Sequence, residues 1–315
     1  MTHQAVMWVV FNVIVLGMLY VDLAVAQKKG HAVGLREAAV WSLVWVGVSL
    51  LFAVGIHFYL SPEKALQFLT GYVIEKSLSV DNMFVFIMIF SFFGIEAEHQ
   101  PRVLKWGILG ALILRFILIF VGATLVARFH WVLYVFGGIL LYSAYKMAFG
   151  VEKEFNPDDN ALFRRLRRLM PMTGMAGQRF FVRLNGVLHA TPLFLALAVV
   201  EFSDVVFALD SIPAIFSITQ DTFIVYTSNV FAILGLRALY FLVSGLVQLF
   251  AYLKYGVALI LAFVGVKMLG SSYFHISTGV SLGVILGVLA VSILLSLAFR
   301  RRPAPAAPDS ASGHN

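Results

Sequence analysis

Two short segments place oxygen-bearing side chains inside long apolar stretches of the chain. The first reads EKSLSVDN from Glu75 to Asn82, and the second reads EFSDVVFALDS from Glu201 to Ser211. The candidate ligands in the two segments are Glu75, Asp81, Asn82, Glu201, Asp204, Asp210 and Ser211. Carboxylate, amide and hydroxyl oxygens suit Mg²⁺, Ca²⁺ or Mn²⁺ better than zinc or copper. The residue types therefore predict a site for a hard divalent cation.

Other kinds of chemistry find no residues to support them. The chain has no cysteine, which excludes thiolate metal sites, iron–sulfur ligation and cysteine nucleophiles. Its histidines fall at expected helix ends, in loops or in the tail. No P-loop or GxSxG motif is present. We therefore predict no catalytic residue, no enzymatic activity and no resident cofactor, with the metal ion as a transported substrate.

The composition requires a membrane. Of 315 residues, 61% are hydrophobic and 12% are charged, which is too apolar for an ordinary soluble domain. Hydropathy predicts nine spanning helices, near residues 5–26, 39–60, 66–93, 106–127, 131–149, 192–216, 223–247, 254–270 and 276–299. A carboxylate at the bilayer centre costs about 3 kcal/mol or more, so the acids in these spans should face a partner or a transport pathway.

Charged landmarks recur along the chain in the same order. Glu75 lies six residues before Asp81, and Arg115 and Lys146 follow in the next two helices. Asp204 lies six residues before Asp210, and Arg237 and Lys267 follow in the same way. Because each copy holds three helices, the second would enter the membrane upside down. We predict an all-α membrane protein with about nine transmembrane helices and two inverted three-helix repeats, unless a few charges align by chance.

This pattern divides the chain into six parts. They are two N-terminal helices (1–65), the first repeat (66–150), a basic cytoplasmic loop (151–191), the second repeat (192–270), a ninth helix (271–300) and a disordered tail (301–315). The loop carries Arg164, Arg165, Arg167 and Arg168. Because most Lys and Arg residues between spans would fall on one side, the positive-inside rule predicts the N-terminus outside and the C-terminus in the cytoplasm.

The net charge of +7 is thus explained by membrane topology and by contact with anionic lipid rather than by nucleic acid. We expect a multi-pass protein of the bacterial inner membrane. Its partners would be a divalent metal ion, protons and the lipid bilayer.

Helix geometry limits which candidate ligands can meet. Residues six apart point about 120° away from each other on a helix, whereas residues seven apart stack. Glu75 should share a face with Asn82, and Asp204 with Ser211 and with Glu201 one turn earlier. Pro213 is expected to break the second acid-bearing helix after Asp210 and to free carbonyl oxygens as further ligands.

Five basic residues are also predicted inside the membrane, which leaves a competing interpretation open. They are Lys76, Arg115, Lys146, Arg237 and Lys267. These bases could neutralise the acids as static ion pairs that only hold the helices together. In the transport interpretation, Arg115 and Arg237 balance the charge of the site. Asp22 is expected to snorkel towards Lys28 at the end of its helix.

The segments EKSLSVDNMFVF and EFSDVVFALDSIPA closely resemble the paired signature segments of the TerC/Alx family of bacterial integral membrane proteins. The resemblance covers roughly residues 5–270. It implies a fold related to LysE-type transporters and a role in Mn²⁺ export or manganese homeostasis, and tellurite resistance gives the family its name. Carried over by position, Glu75, Asp81, Glu201, Asp204 and Asp210 would handle the metal, supported by Asn82 and Ser211.

We therefore hypothesise a secondary transporter that exports Mn²⁺ from the cytoplasm in exchange for protons. One alternative is a membrane scaffold, acting in tellurite or envelope stress, whose basic loop recruits cytosolic proteins or secretion machinery. Another is a Ca²⁺ or Mg²⁺ transporter, because the ligand types alone do not separate these cations from Mn²⁺.

Overall fold

The computed structural model describes most of the chain between the two termini. The described residues are 3–27, 34–129, 131–150, 171–173, 179–246, 252–270, 273 and 276–298. For residues 3–4, 23–27 and 81 the description covers the backbone only. The predicted basic run from Arg164 to Arg168 and the predicted disordered tail lie outside the described residues.

The described part of the chain folds into ten α-helices and one β-hairpin. The helices are α1 (His3–Gln27), α2 (Leu35–Tyr59), α3 (Pro62–Phe92), α4 (Gln100–Arg128), α5 (Val132–Phe149), α6 (Pro192–Phe216), α7 (Thr222–Ile233), α8 (Leu236–Gly245), α9 (Leu253–Leu269) and α10 (Thr278–Ala298). The mostly helical fold expected from the hydropathy pattern is confirmed, and most predicted ends agree within a few residues.

Six of the described helices are long and apolar enough to cross a membrane by length and composition, or seven if α7 and α8 together form one span. Helix α3 is not among them, and it carries Glu75, Lys76 and Asp81 along its length. Helix α9 is also not among them and has 17 residues. The chain is therefore a multi-pass integral membrane protein, and the count of nine spans stays a prediction.

The span predicted at 223–247 is interrupted. Helices α7 and α8 meet at an angle of 47°, and Gly235 at the junction has a left-handed φ of +81°, which suits glycine. The side chain of Trp45 fills the space that a Cβ at Gly235 would need. The break therefore lies in this helix pair, within the second half of the chain.

Helix α6, in contrast, is continuous through Pro213, so the prediction of a break there is wrong. Pro213 lies in the last turn, where its missing N–H removes one bond close to an end at which carbonyls are unpaired anyway. The helix then ends at Phe216, with the Ser217 amide bonded to the Pro213 carbonyl at 3.1 Å.

Several helices pack around the acid motifs of α3 and α6. Helix α3 packs against α7 and α8, while α4 packs against α6. Helices α5 and α9 pack closely at Gly137 and Gly265, where each glycine lies against the other's carbonyl. Helix α2 contacts α3 and α8, and α10 contacts α3 and α9. Glu75 of α3 and Asp204 of α6 are thus buried within the bundle.

A β-hairpin within the predicted cytoplasmic loop was missed by the sequence analysis. Strands β1 (Phe181–Leu184) and β2 (Val187–Ala190) pair antiparallel, and Asn185 and Gly186 between them have φ values of +49° and +82°. An Asn-Gly pair is a strong signal for a two-residue hairpin turn. Helix α6 begins directly after β2, and we call this end of the bundle the hairpin end.

Candidate metal centre in the middle of the bundle

Four helices each contribute one buried polar side chain to a single group, which we call the central cluster. Its members are Glu75 of α3, Arg115 of α4, Ser211 of α6 and Asn229 of α7. Glu75 and Asn229 have no exposed surface, and Arg115 is 3% exposed. Each residue lies on a mostly apolar helix, so the bundle buries these polar groups against one another.

Both carboxylate oxygens of Glu75 have partners. Arg115 Nη1 donates to Glu75 Oε1, and Asn229 Nδ2 donates to Glu75 Oε2 at 3.2 Å. Arg115 Nη1 also approaches Asn229 Oδ1 at 3.2 Å and Ser211 Oγ at 3.4 Å. Burial without such partners would be costly for either charge, so the cluster forms one interdependent network.

Asp204 lies beside the central cluster with fewer partners. It is 6% exposed and lies seven residues before Ser211, on the same face of α6 as predicted. Its charge interacts with those of Arg115 and Glu75, but it forms no hydrogen bond with any side chain that the structure describes. Unlike Glu75 and Asp210, Asp204 is therefore not held by a hydrogen bond from a described side chain.

A small cavity opens next to Asp204, between α3, α4, α6 and α8. The lining residues are Met83, Phe86, Leu104, Gly107, Ile108, Ala111, Val200, Asp204 and Leu236. Asp204 is the one charged residue among them. Val200 lies one turn before Asp204 and Leu104 lies near the start of α4, so the lining of the cavity runs from Asp204 towards the hairpin end.

Glu201 lies one turn before Asp204 and is partly buried. Its carboxylate occupies the space that a Cβ at Gly110 of α4 would need, and its charge interacts with that of Asp204. The glycine thus allows α4 to approach α6 closely enough to hold Glu201 in place. Gly110 is a positioning residue that the sequence analysis did not identify.

The remaining predicted ligands are Asp210, Asn82 and Asp81, and none of them is seen to join the central cluster among the described side chains. Asp210 accepts a hydrogen bond from Ser143 Oγ of α5 at 2.6 Å, and its charge interacts with that of Lys146. It therefore faces α5, as expected for a residue six positions from Asp204. Asn82 is buried, and the side chain of Asp81 lies outside the described residues.

Arg237 forms its ion pair away from the motif acids. Its Nη2 lies 3.3 Å from Asp22 Oδ1 of α1, and both side chains are buried. The expectation that Asp22 snorkels towards Lys28 is therefore wrong, because Arg237 offers a partner inside the protein. In this arrangement Arg115 balances a motif acid, whereas Arg237 balances Asp22.

Asn229 was also missed by the sequence analysis. A signal was available, because an amide within an apolar span is costly unless it is bonded to another polar group. The predicted ligands all came from the two acid motifs on α3 and α6, whereas Asn229 lies on α7.

The motif acids whose side chains are described do not converge on one point in this conformation. Among the described residues, the one group of three or more acids and histidines with ligand atoms within 4.8 Å is Glu96, Glu98 and His99. That group lies in the largely exposed loop between α3 and α4. A cation bound in the bundle would therefore compete with Arg115 for Glu75 and draw on Asp204 for its second carboxylate.

Comparison with known proteins agrees with this architecture. The sequence profile described as the integral membrane protein TerC family matches residues 60–304. Proteins of Escherichia coli (strain K12) and Shigella flexneri, named membrane-bound redox modulator Alx, are 50% identical over 92% of this chain and 94% of their own length. An uncharacterized membrane protein of Myxococcus xanthus is 51% identical over 95% of this chain and 94% of its own length.

No solved structure matches the chain. The family profile covers most of the chain, and the relatives share half of their residues with it over nearly their whole length. The chain therefore belongs to the TerC family of integral membrane proteins.

Proposed function

We propose that this protein is a secondary transporter that exports Mn²⁺ from the cytoplasm through the central cluster, in exchange for protons. The observation that carries the proposal is the buried network of Glu75, Arg115 and Asn229 with Asp204 beside it. A purely structural ion pair needs one acid for one base. Here a second acid, with few partners, lines a cavity next to the pair.

Arg115 acts as the internal counter-cation in this proposal. When a divalent cation enters, Glu75 exchanges the guanidinium for the metal, and Asp204 supplies the second carboxylate. Oxygen ligands from Ser211 and Asn229 lie within the same network. Any proton held by these acids is released when the metal binds, because ligand carboxylates must be deprotonated. This release provides the coupling to proton counter-transport.

The contacts between the two halves of the chain support an inverted repeat. If α3, α4 and α5 correspond to α6, the α7–α8 pair and α9, then equivalent helices contact each other across the bundle. The reciprocal contacts also occur, since α3 packs on α7 and α8 as α4 packs on α6. Transporters built from such repeats bind substrate at the repeat interface near the middle of the membrane, where the central cluster would lie.

In this proposal, the expected topology gives the side from which the cation enters. The positive-inside rule places the hairpin end, and with it the cavity beside Asp204, on the cytoplasmic side. A cation would then enter from the cytoplasm at the hairpin end. It would leave at the opposite end of the bundle, where α3 and α7 begin. The expected inner-membrane location, with the N-terminus outside and the C-terminus inside, belongs to this proposal.

The relatives' name, redox modulator, is compatible with metal transport. This chain has no cysteine, so its own side chains supply no thiol–disulfide chemistry. Any effect on redox balance would have to act through a transported species or a partner. Manganese is redox-active, whereas Mg²⁺ and Ca²⁺ are not, which favours Mn²⁺ among the hard cations that the ligand types allow.

The test is metal flux in proteoliposomes that contain the purified full-length protein. Glu75→Gln should lower Mn²⁺ flux at least 100-fold, because it removes the charge that Arg115 and the metal share. Glu63→Gln on the same helix is the matched control, since Glu63 contacts only Gln67 at 3.4 Å among the described side chains and lies near the start of α3. Equal flux in the two variants would contradict the proposal.

Parallel flux measurements with Mn²⁺, Ca²⁺ and Mg²⁺ decide the substrate. Cellular Mn, Ca, Mg and Fe contents with and without the intact protein provide the matching measurement in cells. If all metal contents stay unchanged while deletion of the basic loop abolishes a stress phenotype, the scaffold alternative replaces transport.

A further inference from the structure

Lys76 directs its ammonium group to the break between α7 and α8. Its Nζ donates to the main-chain oxygens of Ala232 at 3.1 Å and Leu234 at 3.4 Å. These two carbonyls lie at the end of α7, immediately before Gly235. A side chain from α3 therefore binds the main chain of the interrupted helix.

The end of a helix attracts cations for a physical reason. Its last carbonyl groups lack partners within the helix, and the helix dipole places partial negative charge there. In transporters with discontinuous helices, such ends and unwound carbonyls coordinate Na⁺. The Lys76 ammonium occupies the position that a free monovalent cation would take at this break.

The same position is linked to the central cluster through α3. Lys76 follows Glu75 in the chain, and Glu75 accepts a hydrogen bond from Asn229 of α7, three residues before Ala232. Of these two consecutive residues of α3, Glu75 thus binds the polar network and Lys76 binds the break in the α7–α8 pair. Trp45 packs against Gly235 and fixes the bend from the other side.

We propose that Lys76 is a tethered cation, filling a main-chain carbonyl site that would otherwise bind a small monovalent cation such as Na⁺, K⁺ or NH₄⁺. The site consists of the Ala232 and Leu234 carbonyl oxygens, with the negative charge of Glu75 nearby. The wild-type chain then needs no monovalent cation for folding or transport. Removal of the ammonium group converts the break into a cation-binding site.

Cation binding is tested by thermal unfolding of the full-length Lys76→Ala variant in detergent. NaCl, KCl and NH₄Cl are each titrated against N-methyl-D-glucamine chloride at constant ionic strength. The Tm of Lys76→Ala should rise and saturate with at least one small cation, whereas the Tm of the wild type should not change. Lys267→Ala is the matched control, because the Lys267 ammonium donates to the Ser281 hydroxyl on α10 at 2.9 Å, and its Tm should not depend on the cation.

Metal flux provides a second readout, and this one rests on the proposed transport function. In N-methyl-D-glucamine medium, Lys76→Ala should lose at least 10-fold in Mn²⁺ flux, and the stabilising cation should restore at least a third of the loss. If the wild type shows no flux, the transport proposal fails while the unfolding series still decides the cation site.

Two results with the purified variant would overturn the inference. One is a Tm of Lys76→Ala that is the same in all four salts. The other applies when the wild type transports Mn²⁺ and is a Lys76→Ala flux equal to that of the wild type without any small cation. Lys76→Met keeps the aliphatic stem and repeats the series if Lys76→Ala does not purify. Purification of these variants only in a small-cation salt supports the site, and failure in every salt contradicts it.

Discussion

Two arginines at equivalent places in the proposed repeat each form a buried ion pair with a carboxylate, but the surroundings of the two pairs differ. Arg115 binds Glu75 within a network that also includes Asn229 and Ser211. Arg237 binds Asp22 at 3.3 Å, and both side chains are buried. In our proposal, the Arg115 pair is therefore part of an exchangeable site, whereas the Arg237 pair is a structural link.

The difference teaches that a buried ion pair alone does not indicate function. What distinguishes the Arg115 site is the additional acid, Asp204, and the cavity that reaches it. The Asp22–Arg237 pair joins α1 to α8 just after the break and fits the static interpretation that the intramembrane charges left open. We therefore expect the transport interpretation to hold for the Arg115 site and the static interpretation to hold for the Asp22–Arg237 pair.

The largest expected effect is on stability, at the Asp22–Arg237 pair. Asp22→Asn leaves the Arg237 charge buried without its partner, which should lower the free energy of unfolding by about 3 to 5 kcal/mol. Mn²⁺ flux per folded molecule should stay within about threefold of the wild type. Denaturant unfolding combined with flux measures both quantities, and a flux loss as large as that of Glu75→Gln would remove the contrast between the two pairs.

Adding Arg237→Met to Asp22→Asn gives a direct check of this explanation. Removal of both charges eliminates the unpaired guanidinium, so the double variant should be more stable than Asp22→Asn alone. A double variant that is less stable than the single one would show that the ion pair is not the cause.

Asp204→Asn should have the opposite effect to Asp22→Asn, with a large loss of flux and little loss of stability. Because Asp204 forms no hydrogen bond with a described side chain, loss of its charge should change stability by less than about 1 kcal/mol. Flux should fall about 100-fold, equivalent to about 2.7 kcal/mol, because the cation loses its second carboxylate. Asp204→Asn with normal flux would leave the central cluster a structural network like the Asp22–Arg237 pair.

Gly110→Ala tests whether the position of Glu201 matters. The added methyl group would occupy the space of the Glu201 carboxylate and push it away from α4. We expect flux to fall about 10-fold, equivalent to about 1.4 kcal/mol. Gly138→Ala is the control, because a Cβ at Gly138 meets no atom within 4 Å, and equal flux in the two variants would exclude a role for Glu201.

The smallest effect is expected at Asp210, which lies apart from the central cluster. Ser143→Ala removes the 2.6 Å hydrogen bond to Asp210 and should lower the free energy of unfolding by about 1 kcal/mol, with flux reduced no more than threefold. A 100-fold loss of flux in Ser143→Ala would bring Asp210 into the transport site and shift the boundary between the two regions.

Much of the architecture could be predicted because it depends on local patterns. Long apolar stretches locate the helices. The seven-residue spacing of Asp204 and Ser211 correctly predicted that they share a face of one helix. The Asn185-Gly186 turn carried an equally local signal that was overlooked. The break predicted at Pro213 was wrong because a proline near a helix end disturbs the helix little. Hydropathy indicated one span at 223–247, whereas Gly235 allows a break there.

The sequence by itself determined the class of the protein, the oxygen-only chemistry of its acid motifs and the helices that carry them. These properties follow from residue type and from spacing along a single helix. Only the tertiary structure decided that Arg115 binds Glu75 while Arg237 binds Asp22, that Asn229 joins the cluster and that Lys76 reaches the break. Those partners lie far apart in the chain and meet only when the helices pack, since in an apolar interior each buried charge must find whichever opposite group the packing brings near.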